Sequence, residues 1–277
     1  MNGGGLWRAY LAIVSVRCRM LLQYRTAAVA GFGTQLFWGF IKVMVFVAFY
    51  ASATRTPPMS FAEVLVYIWL GQALLALLPW NVDAEIAAQI RTGGVAYELL
   101  RPLDLYRFWF ARTLAFRIAP TLLRMLPMLI FTGLVMPLTP LADWALPAPA
   151  GALSAALFLA SVMATLLLST AFTMIMHVTL IWTISGEGIN RMMPGIVPVL
   201  SGLIVPLPLF PDFLQGFLRW QPFRGMADVP FRIYSGHIAP EMALTEIGLQ
   251  WGWVVVLVAF GVWLLGRARR RLVVQGG

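Results

Sequence analysis

The chain is built on long apolar runs punctuated by arginines, and that pattern leaves few folds open to it. A run of about 20 apolar residues crosses a bilayer core of roughly 30 Å as a helix, because helical hydrogen bonding is the only local way to satisfy the backbone in lipid. Six such runs are read: Ala27 to Tyr50, Val64 to Trp80, Ile118 to Leu138, Leu153 to Trp182, Ile189 to Val205 and Ile247 to Leu265. Composition agrees. Of 277 residues, 60% are hydrophobic and 11% charged, whereas an ordinary soluble domain carries roughly 25% charged residues. The expectation is an all-α integral membrane protein, one transmembrane domain over residues 1–277.

Arginine placement orients the spans. Arg8, Arg17, Arg19 and Arg25 precede the first span, Arg91, Arg101, Arg107 and Arg112 follow the second, and Arg267, Arg269, Arg270 and Arg271 follow the last, while Pro137 to Gly151 has no Lys or Arg. Positive charge stays inside. Both termini are therefore expected in the cytoplasm, with an even number of crossings. The formal charge of +9 is explained by this bias and by membrane lipids, so no nucleic-acid partner is inferred. No secretory signal is read at the start of the sequence. A single cysteine, Cys18, leaves no internal disulfide and no CxxC site.

Two stretches flank the bilayer. Leu6, Trp7, Tyr10, Leu11, Val14, Met20, Leu21 and Leu22 alternate with Arg17, Arg19 and Arg25, which reads as an amphipathic helix on the inner interface whose arginines reach lipid phosphates; the alternative is an extension of the first span. Between the fifth and sixth spans, Pro206, Pro208 and Pro211 break the helix. Asp212 is expected to cap a short interfacial or re-entrant helix carrying Phe213, Leu214, Phe217 and Leu218 on one face.

The motifs that would carry chemistry are missing from the sequence. A P-loop needs Gly-rich backbone and a Lys before Ser or Thr, and the one lysine, Lys42, precedes Val43 inside the first span. Neither His177 nor His237 has a carboxylate at metal-ligand spacing, and Ser185 to Gly188 reads as a helix-breaking turn. His177 is the one mid-membrane group that could titrate, and is expected to hydrogen-bond a neighbouring helix or face the inner interface. Every Asp and Glu falls at a span edge or in a loop, which disfavours an ion-coupled carrier. Three cations are candidates for a translocation path. Lys42 faces a partner helix or watery path, or is an interfacial anchor; Arg117 and Arg124, seven apart on one helix face, line an inward vestibule or anchor at the inner interface.

The remaining polar stretch, Asp83 to Asp104, reads as a docking handle; the alternative is an amphipathic connector that only lies on the membrane. Gly93 and Gly94 permit a tight turn, Pro102 stops a helix at or before Arg101, and Tyr97, Leu99 and Leu100 form an apolar knob flanked by Glu98 and Arg101. Its reading "IRTGGVAYELLRPLD", with the basic start, two spans before it, four after it and "GLIVPLPLFP" at Gly202 to Pro211, resembles the ABC-2 type permease family over essentially the whole chain. That resemblance implies six transmembrane helices with an N-terminal interfacial helix, a cytoplasmic coupling helix after the second and a re-entrant segment before the sixth. It also implies that Arg91, Thr92, Gly93, Gly94, Tyr97, Glu98, Leu100, Arg101, Pro102 and Asp104 touch a separate ATP-binding subunit, which holds ATP and Mg and drives the second and fifth helices. A second permease copy or a paralogous permease completes the complex in a bacterial inner membrane. The rival from another class is a membrane scaffold that moves nothing.

Overall fold

The computed structural model describes residues 3–23, 25–183 and 187–271. Helices α1 (Gly3–Leu21), α2 (Arg25–Ser52), α3 (Phe61–Ala73), α4 (Ala84–Thr92), α5 (Val95–Leu99), α6 (Leu105–Ile130), α7 (Ala152–Trp182), α8 (Glu187–Leu200), α9 (Asp212–Trp220), α10 (Asp228–Ser235) and α11 (Pro240–Ala268) follow one another with no strand among the described residues. Four segments are long and apolar enough to cross a membrane: Val29–Ser52, Leu105–Leu138, Ala152–Trp182 and Pro240–Ala268. Their apolar outer faces, with Phe37, Met44, Leu126, Leu159, Val255 and Phe260 exposed, are what a helix surrounded by lipid presents. The chain is a multi-pass membrane protein.

The other two apolar runs are shorter as helices, for local reasons. α3 gives way to a 3-10 turn at Leu75–Leu77, and Leu78 is extended because Pro79 disfavours the helical conformation before it. α8 contains Pro194 and Pro198 and ends where Gly202 turns left-handed, φ 82°, so that Leu203 N and Ile204 N both donate back to Pro198 O at 3.0 and 3.2 Å. In the opposite direction, the run starting at Ile118 is only the latter part of α6, which begins at Leu105 and takes Arg107, Arg112 and Arg117 into the helix. The turn expected at Ser185 to Gly188 lies largely outside the described residues.

α7 is the axis of the bundle. It packs along α11, and also against α10 and α6, while α1 lies along α6. The hydroxyls of Ser161, Thr165, Ser169, Thr170 and Thr173 are buried on it. Thr165 Oγ1 donates to Gly225 O at 2.8 Å and Ser169 Oγ donates to Leu77 O, stitching the loop before α10 and the end of α3 to the axis. Short helix-to-helix hydrogen bonds of this kind hold helices together where no hydrophobic driving force separates them from lipid.

α1 is a helix separate from α2, as an interfacial segment requires, but Arg17 does not reach outward to lipid. Its guanidinium bonds Glu85 Oε1 at 2.7 Å and Asp83 Oδ2 at 3.1 Å. Cys18 lies against Ala115 O at 3.9 Å, and burial pushes its thiol pKa up. Asp212 likewise departs from expectation: it is the first residue of α9 with Pro211 at the cap position and no side-chain cap bond. Phe213 and Phe217 point outward while Leu218 is buried, so the apolar residues of α9 are divided between two environments.

Candidate functional site

α4 and α5 form a helical hairpin between α3 and α6, built by residues whose roles can be traced one at a time. Asp83 starts α4, its carboxylate accepting from Glu85 N at 2.9 Å, an N-cap that answers one of the helix's orphan donors. Gly93 ends it at φ 74°, a left-handed turn that a β-carbon disfavours by about 1 to 2 kcal/mol. Gly94, at φ −58°, needs no such freedom. Gly93→Val is therefore expected to loosen the hairpin, read as faster proteolysis between α4 and α5, while Gly94→Ala leaves the cleavage rate unchanged. Beyond α5, Asp104 caps α6 by accepting from Arg107 N at 2.9 Å.

One face of the hairpin is bolted down. Arg112 of α6 donates to Glu98 Oε1 at 3.0 Å and Glu85 Oε2 at 3.1 Å, and to Gln89 Oε1 at 3.3 Å. Trp109 Nε1 donates to Glu98 Oε2 at 2.6 Å. Arg17 joins α1 to the same carboxylates. From α7, His177 Nε2 accepts from the Asp83 backbone N at 2.9 Å, so His177 bonds a neighbouring segment, one of the two roles expected of it. Ile86, Val95, Leu105, Tyr106, Trp109, Met174, Val178 and Leu265 close an apolar core beneath.

The other face is open. Tyr97 is 79% and Leu100 82% exposed, with Arg91, Thr92, Gly93, Arg101, Pro102 and Asp104 also at the surface. Arg101 rests over the Phe108 ring at 5.2 Å. Glu98 does not share this face: at 4% exposure it is turned inward onto Arg112 and Trp109. The sequence brought Glu98 next to the knob, but a five-residue helix places alternate sides of it against α6 and against solvent.

The three path candidates are dispersed. Arg117 is buried and satisfied by Leu78 O at 2.9 Å, Asn81 O at 2.6 Å and Thr173 Oγ1 at 2.8 Å; it clasps the frayed end of α3 to α7, and is neither a vestibule lining nor an interface anchor. Lys42 Nζ donates to Leu203 O at 2.9 Å, so it faces the backbone that unwinds after α8. Arg124 lies across Gly31 of α2 and has no acceptor among the described residues. Arg117 and Arg124 do share a face of α6, yet the helices opposite that face change along its length.

Sequence reasoning missed a second charged cluster. Arg224 donates to Glu246 of α11 at 2.8 and 2.9 Å and to Asp228 Oδ2 at 3.1 Å; Asp228 also accepts from Arg232 at 3.3 Å and from the Tyr67 hydroxyl of α3. The i, i+4, i+8 spacing of Arg224, Asp228 and Arg232 was the available signal. Ser60 to Glu63 was another: it forms a capping box at the start of α3, with His237 Nδ1 2.7 Å from Glu63. Among the described residues no three metal-ligating side chains converge.

The structure is thus a bundle of apolar membrane-spanning helices with a hairpin, fixed on one face and open on the other, between its short third helix and long sixth helix. A family model described as ABC-2 family transporter protein matches residues 36–276. The chain belongs to that family. No curated protein and no solved structure matches it.

Proposed function

We propose that this chain is the permease subunit of an ATP-driven exporter in a bacterial cytoplasmic membrane, moving a lipid-like, glycan or drug-like substrate. The observation that carries the reading is the two-sided hairpin: its inner side is fixed to α1 and α6 by ion pairs and to α7 by a hydrogen bond while Tyr97 and Leu100 stand free. Exposed aromatic and apolar side chains on a rigid support are what a partner's groove takes up. ABC-2 permeases as a family work with an ATP-binding subunit. Here that subunit would hold ATP and Mg, two permeases would pair, and alternating access would follow ATPase closure. Push on the hairpin would pass to α6 through Arg112 and Trp109 and to α7 through His177, a different route from the second and fifth spans. In this reading the hairpin and both termini are cytoplasmic, and α3 and α8 complete six crossings with the four long segments.

The test is a Tyr97→Ala/Leu100→Asp double variant at matched membrane levels, measured by capture of the ATPase and by its substrate-stimulated hydrolysis. Losing two anchors of an interface costs about 2 to 4 kcal/mol, a loss of capture of at least about thirty-fold. The pure chain alone should hydrolyse no ATP. Wild-type capture and hydrolysis in the double variant would make the hairpin a membrane-surface connector, and hydrolysis that substrate does not stimulate in the wild-type complex would favour a scaffold.

A further inference from the structure

A large groove lies behind α1, away from Lys42 and Arg124. It encloses about 1190 Å³ between α1, α6, α7 and α11, above the roughly 300 to 1,000 Å³ of a drug-sized site. Its walls are graded. Toward the middle of the bundle they are apolar, with Leu114, Leu167 and Val258, and Trp7 and Leu11 of α1 close the outer side. At the hairpin end the lining becomes Asp104 and Arg107, and Arg269 from the end of α11 stands 3.6 Å from Asp104.

Charge at this mouth is not neutral. The Asp104 carboxylate is already engaged by Arg107 N and Arg269, whereas the Arg107 guanidinium is exposed and has no acceptor among the described residues. In the groove wall, Tyr106 is 4% exposed with its hydroxyl buried toward Gly261 of α11, so it presents only its ring to the groove. A guest with an anionic head and apolar tails meets both parts, the Arg107 mouth and the apolar wall.

We propose that this groove holds one anionic phospholipid of the inner leaflet, phosphate at Arg107 and chains against Leu114, Leu167 and Val258, with α1 as its outer wall. The choice of leaflet rests on the cytoplasmic placement of the hairpin; occupancy does not. Basic pockets between helices on that side are suited to anionic headgroups, and the apolar wall that continues inward from Arg107 is suited to acyl chains. The bound lipid would fix α1 against α6, and so support Arg17 where it meets the hairpin.

The test uses the full chain in nanodiscs containing phosphatidylglycerol or phosphatidylcholine with brominated acyl chains, which quench nearby tryptophan. The signal of Trp7 is isolated by subtracting Trp7→Phe. The expected result is quenching at about a five-fold lower mole fraction of phosphatidylglycerol, the effect of about one interfacial arginine. Arg107→Glu, at the exposed mouth, should abolish that preference. Val258→Phe should reduce the phospholipid retained through purification, counted by native mass spectrometry. Equal quenching by both lipids, or an undiminished preference in Arg107→Glu, would overturn the proposal. So would absence of quenching with Trp7→Cys cross-linking between two chains, which would assign the groove to a second copy. A failed coupling role would show instead in ATPase capture, which these readouts do not involve.

Discussion

Arg112→Ala is expected to destabilise the purified full-length chain by about 3 to 5 kcal/mol, the usual cost of removing one partner of a buried ion pair. The size follows from what is left behind. Glu98 is 4% exposed, and without Arg112 its carboxylate keeps only the Trp109 bond, while Glu85 loses a second cation beside Arg17. Thermal unfolding in detergent would measure the loss. Arg112→Lys should fall between, since a point-like ammonium cannot serve Glu98, Glu85 and Gln89 at once as a planar guanidinium does. Glu98→Leu/Arg112→Leu should be milder than Arg112→Ala, because no charge remains unpaired. Wild-type unfolding of Arg112→Ala would mean that the hairpin is held by its apolar core alone.

The same pair shows where the sequence stops being informative. The spans are legible because lipid makes length and hydropathy decisive. Pro102 and the Gly93 turn are legible because they act on their own backbone. Glu98 is not, since its partners lie 11 and 14 positions on, in another helix, and only docking of α5 on α6 turns it inward. Its charge suggested a surface role; its place in the fold makes it a bolt.

Arg117 carries a related lesson. Its seven-residue spacing from Arg124 predicts the helix face, but not that α3 unravels just opposite and leaves Leu78 O and Asn81 O to be satisfied. An intramembrane arginine here answers orphan carbonyls, as backbone that leaves the helix within lipid requires. Lys42 does the same for Leu203 O. For both, the sequence leaves a path-lining role open beside an anchoring one, because it shows a costly charge without showing the broken helix that compensates it.

Asp228→Ala is expected to produce a loss of comparable size, about 3 to 5 kcal/mol, at a site that shares no partner with the hairpin. Asp228 is fully buried and joins Tyr67 of α3 to Arg224 and Arg232, and through Arg224 to Glu246 of α11. Asp228→Asn should rescue little: an amide keeps one acceptor for Tyr67 but turns N-H donors toward two guanidiniums that also donate. Arg224 would keep Glu246, so the damage should concentrate where α10 meets α3, and protease should cut there first. Combined with Arg112→Ala, the two losses should add to within about 0.5 kcal/mol, as they do for sites without common contacts. A larger interaction energy in the chain alone would mean that the two clusters already sense each other through α7 and α11. A term that grows only when the ATPase and nucleotide are present is the outcome that a force-transmitting bundle requires, because then the hairpin and the Asp228 cluster are two ends of one conformational equilibrium.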